Sequence, residues 1–261
     1  MPSALIHIVR RRPACAALGL ALVAAAGLLP WLPGCETGGR AGGLHAASRV
    51  YPPDPQPPRV IALGAVRGAP PPSQTEVQLS YILFGAEPPA RLALANPAGL
   101  APVDGGLLIC DTVLGALLRW DAASDRLTEE RVVPPPDRPF AVDVFPDGSR
   151  LLCDQGGARR VTAAGDTLRH YTLDGRPFRV GGGAVFDGRV WLTNATAHTI
   201  EVFAADSGAH ERTIGRHGRE LGEFSYPRSV ARGPDGTLCV VDALNSRLQL
   251  VAPDGRTLRS I

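Results

Sequence analysis

The fold is decided by residues 226–255, YPRSVARGPDGTLCVVDALNSRLQLVAPDG. Pro227 opens an apolar strand that runs to a Pro-Asp-Gly turn, and a second strand then ends at Asp242. A third strand, Arg247–Val251, stops at another Pro-Asp-Gly turn. Asp-Gly supplies the positive φ that a tight hairpin requires. Strands joined in this way form a meander that cannot bury both faces alone, so it needs neighbours of the same kind.

The same order of turn and strand residues occurs four times in the sequence. In each copy an Asp-Gly turn is followed, six residues after its glycine, by an aspartate or asparagine that closes an apolar strand. These closing residues are Asp111, Asp154, Asn194 and Asp242. Their spacings are 43, 40 and 48 residues. A proline opens a strand upstream of each turn, at Pro97, Pro139, Pro177 and Pro227. This period, with three or four strands per unit, is typical of β-propeller blades.

The repeats predict an all-β chain built as a β-propeller with four clear blades and a partial N-terminal blade. Strands such as Thr237–Val241 are apolar on both faces, which fits blades packed between neighbours. The closing Asp or Asn can accept hydrogen bonds from backbone N–H groups two residues further on. After each closing residue we predict a third strand, at Ala116–Trp120, Arg160–Ala163, Thr199–Phe203 and Arg247–Val251. Ahead of the repeats, Arg59–Val66 and Val77–Phe84 are candidate strands.

The last repeat resembles the NHL repeat. The matching positions are Gly222, Phe224, Pro227, Asp235, Gly236, Asp242, Asn245, Arg247 and Leu248. The other copies hold different residues at the asparagine position, namely Leu114, Gly157 and Ala197. The resemblance implies a propeller that usually has six blades, and residues 59–261 suffice for four to five. We therefore expect a C-terminally truncated chain whose exposed last blade favours aggregation.

The N-terminus predicts export through a helical signal segment. Residues 1–35 combine Arg10, Arg11 and Arg12 with a 16-residue apolar core, Ala14–Leu29, and end in Leu-Pro-Gly-Cys. This resembles the lipobox of bacterial lipoproteins, which implies lipidation of Cys35 and a lipid-anchored protein of the cell envelope. A cleaved signal peptide without lipid, giving a periplasmic or secreted protein, and an uncleaved anchor are the alternatives. Residues 36–58, rich in glycine and proline, predict a linker, and residues 59–261 the propeller.

The amino-acid composition narrows the classes of function that the chain can have. All 27 basic residues are arginine, and the chain after residue 35 is nearly balanced in charge, which argues against nucleic acid as a partner. Cys110, Cys153 and Cys239 are odd in number and lie in strand patterns, so we expect free thiols. Gly181–Gly183 lacks the Lys-Ser/Thr of a phosphate loop and predicts a strand or bulge.

No catalytic motif is present, and no cofactor is predicted. The sequence favours a binding scaffold whose partner, a protein or a polysaccharide, contacts the propeller loops. Arginines of the turns could serve an acidic partner, although a solvated rim is their simpler interpretation; they are Arg176, Arg179, Arg216 and Arg219. The alternative is a calcium-dependent hydrolase of the lactonase or gluconolactonase type. Asp143 is the single carboxylate of the innermost strands and hence the candidate metal ligand, whereas calcium takes six to eight oxygens.

Overall fold

The computed structural model describes residues 6–10, 50–51, 60–66, 68, 73–85, 92–233 and 236–261. Three N-terminal strands, β1 (Ile6–Arg10), β2 (Val50–Tyr51) and β3 (Val60–Val66), form an antiparallel sheet with β3 in the centre. Most of the predicted signal segment, residues 1–35, and of the linker lies outside the described residues. The part that is described, β1, is a strand and not the predicted helix, in keeping with its β-branched residues. No described helix is long and apolar enough to cross a membrane.

The candidate strand Val77–Phe84 is wrong, because this segment belongs to helix α1 (Gln74–Phe84). The Val77 N–H donates to the Ser73 carbonyl, and the Gly85 N–H donates to the Tyr81 carbonyl. Gly85 has a φ of 67°, the left-handed conformation that often follows the last residue of a helix. A short apolar run does not distinguish a helix from a buried strand, which explains the error.

Four four-stranded antiparallel sheets follow, and each sheet keeps its strands in chain order. Blade 1 contains β4 (Pro97–Val103), β5 (Gly106–Asp111), β6 (Ala116–Asp121) and β7 (Arg126–Glu129). Blade 2 contains β8 (Ala141–Val144), β9 (Arg150–Asp154), β10 (Gly157–Val161) and β11 (Thr167–Tyr171). Blade 3 contains β12 (Val180–Phe186), β13 (Arg189–Asn194), β14 (Thr199–Ala204) and β15 (His210–Ile214). Blade 4 contains β16 (Pro227–Arg232), β17 (Leu238–Asp242), β18 (Arg247–Val251) and β19 (Thr257–Ser260).

The blades have a β-propeller arrangement, which confirms the predicted fold. The first strand of each blade lies innermost, with β4 beside β8, β8 beside β12, and β12 beside β16. The third strand of blade 2 begins at Gly157, earlier than the predicted Arg160. The reason is that β9 and β10 pair Asp154 with Gly157 across a two-residue turn.

The apolar core lies between consecutive blades. Tyr171 and Phe203 meet edge to face between blades 2 and 3, with ring centroids 5.5 Å apart. Trp191 and Phe224 are fully buried between blades 3 and 4. Each such burial contributes about 1.5–3 kcal/mol. The strands of blades 2 and 3 are apolar on both faces because each of these blades packs between two others.

The predicted bulge at the glycine run is confirmed in β12, where the pairing with β13 shifts between Val180 and Gly183. A β-carbon on Gly181 would lie 2.7 Å from the carbonyl oxygen of Pro227, a backbone atom of the neighbouring inner strand. Glycine therefore allows β12 and β16 to approach closely, and this contact brings the beginnings of blades 3 and 4 together.

Candidate functional site: the cleft over the inner strands

The closing aspartate of blade 4 is the centre of a buried hydrogen-bond network. The Asp242 carboxylate accepts hydrogen bonds from Ser225 N at 2.6 Å, Arg247 Nε at 2.8 Å and Asn245 Nδ2 at 2.9 Å. The Arg247 guanidinium also donates to the carbonyl oxygens of residues 219, 220 and 223. The network fastens the loop that leads into blade 4 to the blade itself.

The closing residues of the other blades are also buried acceptors, each with a different set of donors. Asp111 accepts from the backbone of Val113 and Leu114 and from that of the segment before β4. Asp154 accepts from Gly156 N at 2.8 Å and from Arg159 Nη2 at 3.1 Å. Asn194 accepts from Ala197 N and donates to the buried carboxylate of Glu201. These contacts hold the turns that follow β5, β9 and β13.

A cleft of about 960 Å³ lies over the turns that follow β9 and β13, at the end of the propeller where the inner strands begin. Pockets for small ligands usually measure roughly 300–1,000 Å³. All four blades contribute to its wall, including the turn after Asp154 and the bulged glycines of β12. The cleft is therefore large enough for a ligand and is built from every repeat.

One position of the repeat recurs around this cleft: the residue that follows the strand-opening proline. These residues are Ala98, Phe140, Phe178 and Arg228. This position is not among the site residues predicted from the sequence. The signal that identifies it is the shared register of the four prolines, because equivalent positions of equivalent strands meet at the same end of a propeller. The repeat fixes the backbone at these positions and leaves their chemistry free to vary.

The charged side chains of the cleft differ in whether they have an ion-pair partner. Asp154 is buried and paired with Arg159, whose side chain is only 5% exposed. Arg179 and Arg228 are exposed, and neither forms an ion pair with any residue that the structure describes. The Arg179 guanidinium carbon lies 5.7 Å from the centroid of the Tyr226 ring. The cleft therefore presents two uncompensated positive charges.

Tyr226 and His198 connect the cleft to the boundary between blades 3 and 4. Both have left-handed backbones, with φ of 57° and 62°, and Tyr226 N donates to His198 Nδ1 at 2.9 Å. The His198 ring lies 4.4 Å from that of His217. A left-handed backbone is costly for residues with bulky side chains and is concentrated at functional sites. Tyr226 is thereby part of the cleft wall.

Asp143 lies near the other end of the inner strands, away from the residues that line the cleft. Its carboxylate accepts from Val185 N at 2.7 Å and from Val144 N at 2.8 Å, and Arg232 Nη2 lies 3.3 Å away. No group of three or more histidine, cysteine or acidic residues with metal-binding geometry occurs among the described residues. At this site the carboxylate links strands β8, β12 and β16.

The remaining predicted residues are dispersed. Arg176 lies on an exposed turn and Arg219 is exposed, whereas Arg216 pairs with Glu223 at 2.8 Å. Cys110 and Cys153 are buried free thiols, and Cys239 is half-buried and also free. Burial raises the pKa of all three thiols. Cys35 and Asp235 lie outside the described residues. Of the predicted turn arginines, Arg179 alone lines the cleft.

The fold and the cleft define the class of protein: the chain is a β-propeller protein. Solved structures with a similar fold include a streptogramin B lyase, with a TM-score of 0.52 and 19% identity over 63% of this chain and 54% of the lyase chain. They also include a catalytically inactive virginiamycin B lyase from Staphylococcus aureus with quinupristin, at a TM-score of 0.50 and 18% identity over 62% and 54% of the two chains. Hydrazine synthase from Kuenenia stuttgartiensis matches at a TM-score of 0.50 and 17% identity over 64% and 49%.

These similarities concern the fold alone, because all three identities are below 20%. The chain spans about half the length of the structures it matches. No protein-family model and no curated protein sequence matches it.

Proposed function

We propose that this chain is a binding scaffold of the NHL type, displayed on the cell envelope, and that its ligand is held in the cleft over the inner strands. The observation that carries the proposal is the recurrence of one repeat position around the cleft, at Ala98, Phe140, Phe178 and Arg228. A fixed backbone with variable side chains at the mouth is a common basis for binding specificity in repeat proteins.

Binding is favoured over catalysis because the cleft offers contact groups and lacks a set of residues for bond cleavage. Its aromatic and arginine side chains suit recognition of a partner, whereas its one carboxylate, Asp154, is already paired with Arg159. A calcium-dependent hydrolase is less well supported, because the Asp143 oxygens are engaged by backbone N–H groups and Arg232 lies beside them. The proposal requires neither metal nor cofactor, and nucleic acid is not among its partners.

The binding site is tested by photo-crosslinking in cells that produce the full chain. Ser229 is exposed and lines the cleft, so we place benzoylphenylalanine there and, as a matched control, at the exposed Ser207 on the turn between β14 and β15. The expected result is an adduct of defined mass at position 229 that is absent at position 207. Adducts at both positions alike, or at neither, contradict the proposal.

Envelope display depends on the proposed lipid at Cys35 and is tested separately. Cells fed a labelled fatty acid should incorporate label into the wild-type chain and not into Cys35→Ser. Equal label in the two proteins contradicts the lipid anchor. Binding at the cleft would then remain to be judged by the crosslinks alone.

A further inference from the structure

We propose that the cleft binds an acidic oligosaccharide, with the carboxylates of the sugar acids held by Arg179 and Arg228. This inference rests on the proposed binding function and adds the chemical class of the ligand. The charge balance of the cleft, its hydrogen-bonding groups and its ring faces support it.

Two arginines of the cleft can bind carboxylates. Arg179 directly precedes β12 and Arg228 is the second residue of β16, two inner strands that the glycines of β12 allow to pack closely. Both guanidiniums are exposed and unpaired among the described residues. A guanidinium presents a planar fork of N–H donors that matches a carboxylate. Two such groups on neighbouring strands suit a ligand with more than one carboxylate.

The cleft also orients one of these arginines. Arg179 lies over the Tyr226 ring, and the Tyr226 backbone is fixed by its bond to His198 Nδ1. Contact with the ring limits the conformations of the long Arg179 side chain, so less entropy is lost when it binds an anion. An arginine of the solvated rim would have no such support.

The hydrogen-bonding and aromatic side chains of the cleft favour a saccharide over an acidic peptide. Gln155 and Ser229 are exposed in the cleft and can exchange hydrogen bonds with sugar hydroxyls. Phe140 and Phe178 add partly buried aromatic rings, whose faces suit the C–H faces of a pyranose. Many bound peptides add to an exposed strand edge or place a helix in an apolar groove, and arginine clusters also hold acidic motifs. Recognition of an acidic motif uses the arginines and leaves the ring faces of the cleft without a role. Amide, hydroxyl, guanidinium and aromatic groups together favour the sugar acid.

The proposal is tested by isothermal titration of the full chain in detergent with a short oligogalacturonate. The comparison ligands are a neutral galactose oligomer of the same length and an oligoglutamate peptide. We expect the oligogalacturonate to bind in a salt-sensitive manner and more tightly than either comparison ligand. Equal binding of the neutral oligomer, tighter binding of the peptide, or no binding of the oligogalacturonate to the folded protein overturns the inference.

Variants assign the arginines. Arg179→Gln and Arg228→Gln should each weaken oligogalacturonate binding about tenfold, the usual loss for one charge-assisted contact. Arg176→Gln is the matched control, since Arg176 is exposed on a nearby turn outside the cleft, and it should bind as the wild type does. Unchanged binding in both cleft variants, with unchanged melting temperatures, contradicts the assignment. If position 229 still crosslinks in cells while oligogalacturonate fails to bind, the binding function stands and the saccharide is wrong.

Discussion

Arg159 donates a hydrogen bond of 3.1 Å to the carboxylate of Asp154, the closing residue of β9. Arg159 follows Asp154 by five residues, which is the separation between Asp242 and Arg247 in blade 4. The same ion pair is therefore present in two blades, although only blade 4 carries the asparagine between the two partners. In blade 2 the pair also forms part of the cleft wall, because Asp154 lines the cleft. The ion pair thus joins the packing of blade 2 to the wall of the proposed binding cleft.

Replacing Arg159 by methionine should destabilise the protein strongly. The substitution leaves Gly156 N as the one remaining donor to the buried Asp154 carboxylate among the described residues. Such an uncompensated buried charge costs about 3–5 kcal/mol. Urea unfolding gives the free energy. Arg256→Met is the control, because Arg256 is 74% exposed and lies 3.9 Å from its partner. A loss in Arg159→Met no larger than in the control would show that the pair is unimportant.

Replacing Asp242 by asparagine should loosen the loop that leads into blade 4. Three side-chain donors point at one oxygen of Asp242, those of Asn245, Arg247 and Gln249. A neutral amide weakens all three bonds, and we expect a loss of about 2–3 kcal/mol. Trypsin should then cut faster after Arg216 and Arg219. Asp254→Asn, at an exposed turn residue, should leave the cleavage rate unchanged, and equal rates in the two variants contradict the prediction.

Stability should fall at alkaline pH. Burial raises the pKa of Tyr171 from 10.0 to about 12 and raises the pKa of Cys110 and Cys153 above 9.0. Above these ordinary values the unfolded chain loses protons that the folded chain retains, so the free energy of unfolding decreases as pH rises. The stabilisation is complete below pH 9 and declines above it. Urea unfolding between pH 8 and 12 measures the decline.

Tyr171→Phe separates the phenol from the thiols. Its free energy of unfolding should decline less steeply than that of the wild type between pH 10 and about 12, because the titrating phenol is gone. The slopes of the free energy of unfolding against pH are compared, because the variant also loses the 3.4 Å hydrogen bond to the Ala205 carbonyl. Identical slopes would exclude Tyr171 as a source of the decline.

The three described thiols should react in a fixed order. Cys239 is half-buried, whereas Cys110 and Cys153 are fully buried, so a thiol reagent at neutral pH should modify Cys239 first in the folded protein. Mass spectrometry of peptides taken during the reaction gives the order. The raised pKa of Cys239 means that its rate increases as pH rises towards that value. Early modification of Cys110 would contradict the described packing.

Blade 4 should mediate self-association. Its Leu238 and Val240 are buried against blade 3, whereas Cys239, Val241 and Leu248 on the other face are half-buried or exposed. An apolar sheet face of this kind favours association. Leu248→Glu should shift sedimentation towards the monomer, and Leu168→Glu, at an exposed position of β11, should not. A wild-type chain that sediments as a monomer contradicts this prediction.

Local chemistry explains what the sequence could predict. Asp-Gly and Pro-Asp-Gly act within a few residues, so the turns, the repeat register and the β-propeller fold followed from the sequence. The pair of Asp154 and Arg159 was missed because the asparagine position in that copy is Gly157, which hid the shared register. The cleft could not be predicted, since Ala98 and Arg228 are more than a hundred residues apart and line one cleft only because the blades stack. The chemistry of the repeat is local, and the chemistry of the site is not.

The contacts of Asp143 should affect how the blades respond to a pulling force. Its carboxylate joins the backbone of β12 to β8, and Arg232 brings β16 to the same point. Because three consecutive inner strands share this junction, a pulling force applied along the chain loads blades 2, 3 and 4 together. They should yield in one rupture event, whereas blade 1, whose inner strand has no part in the junction, can detach on its own.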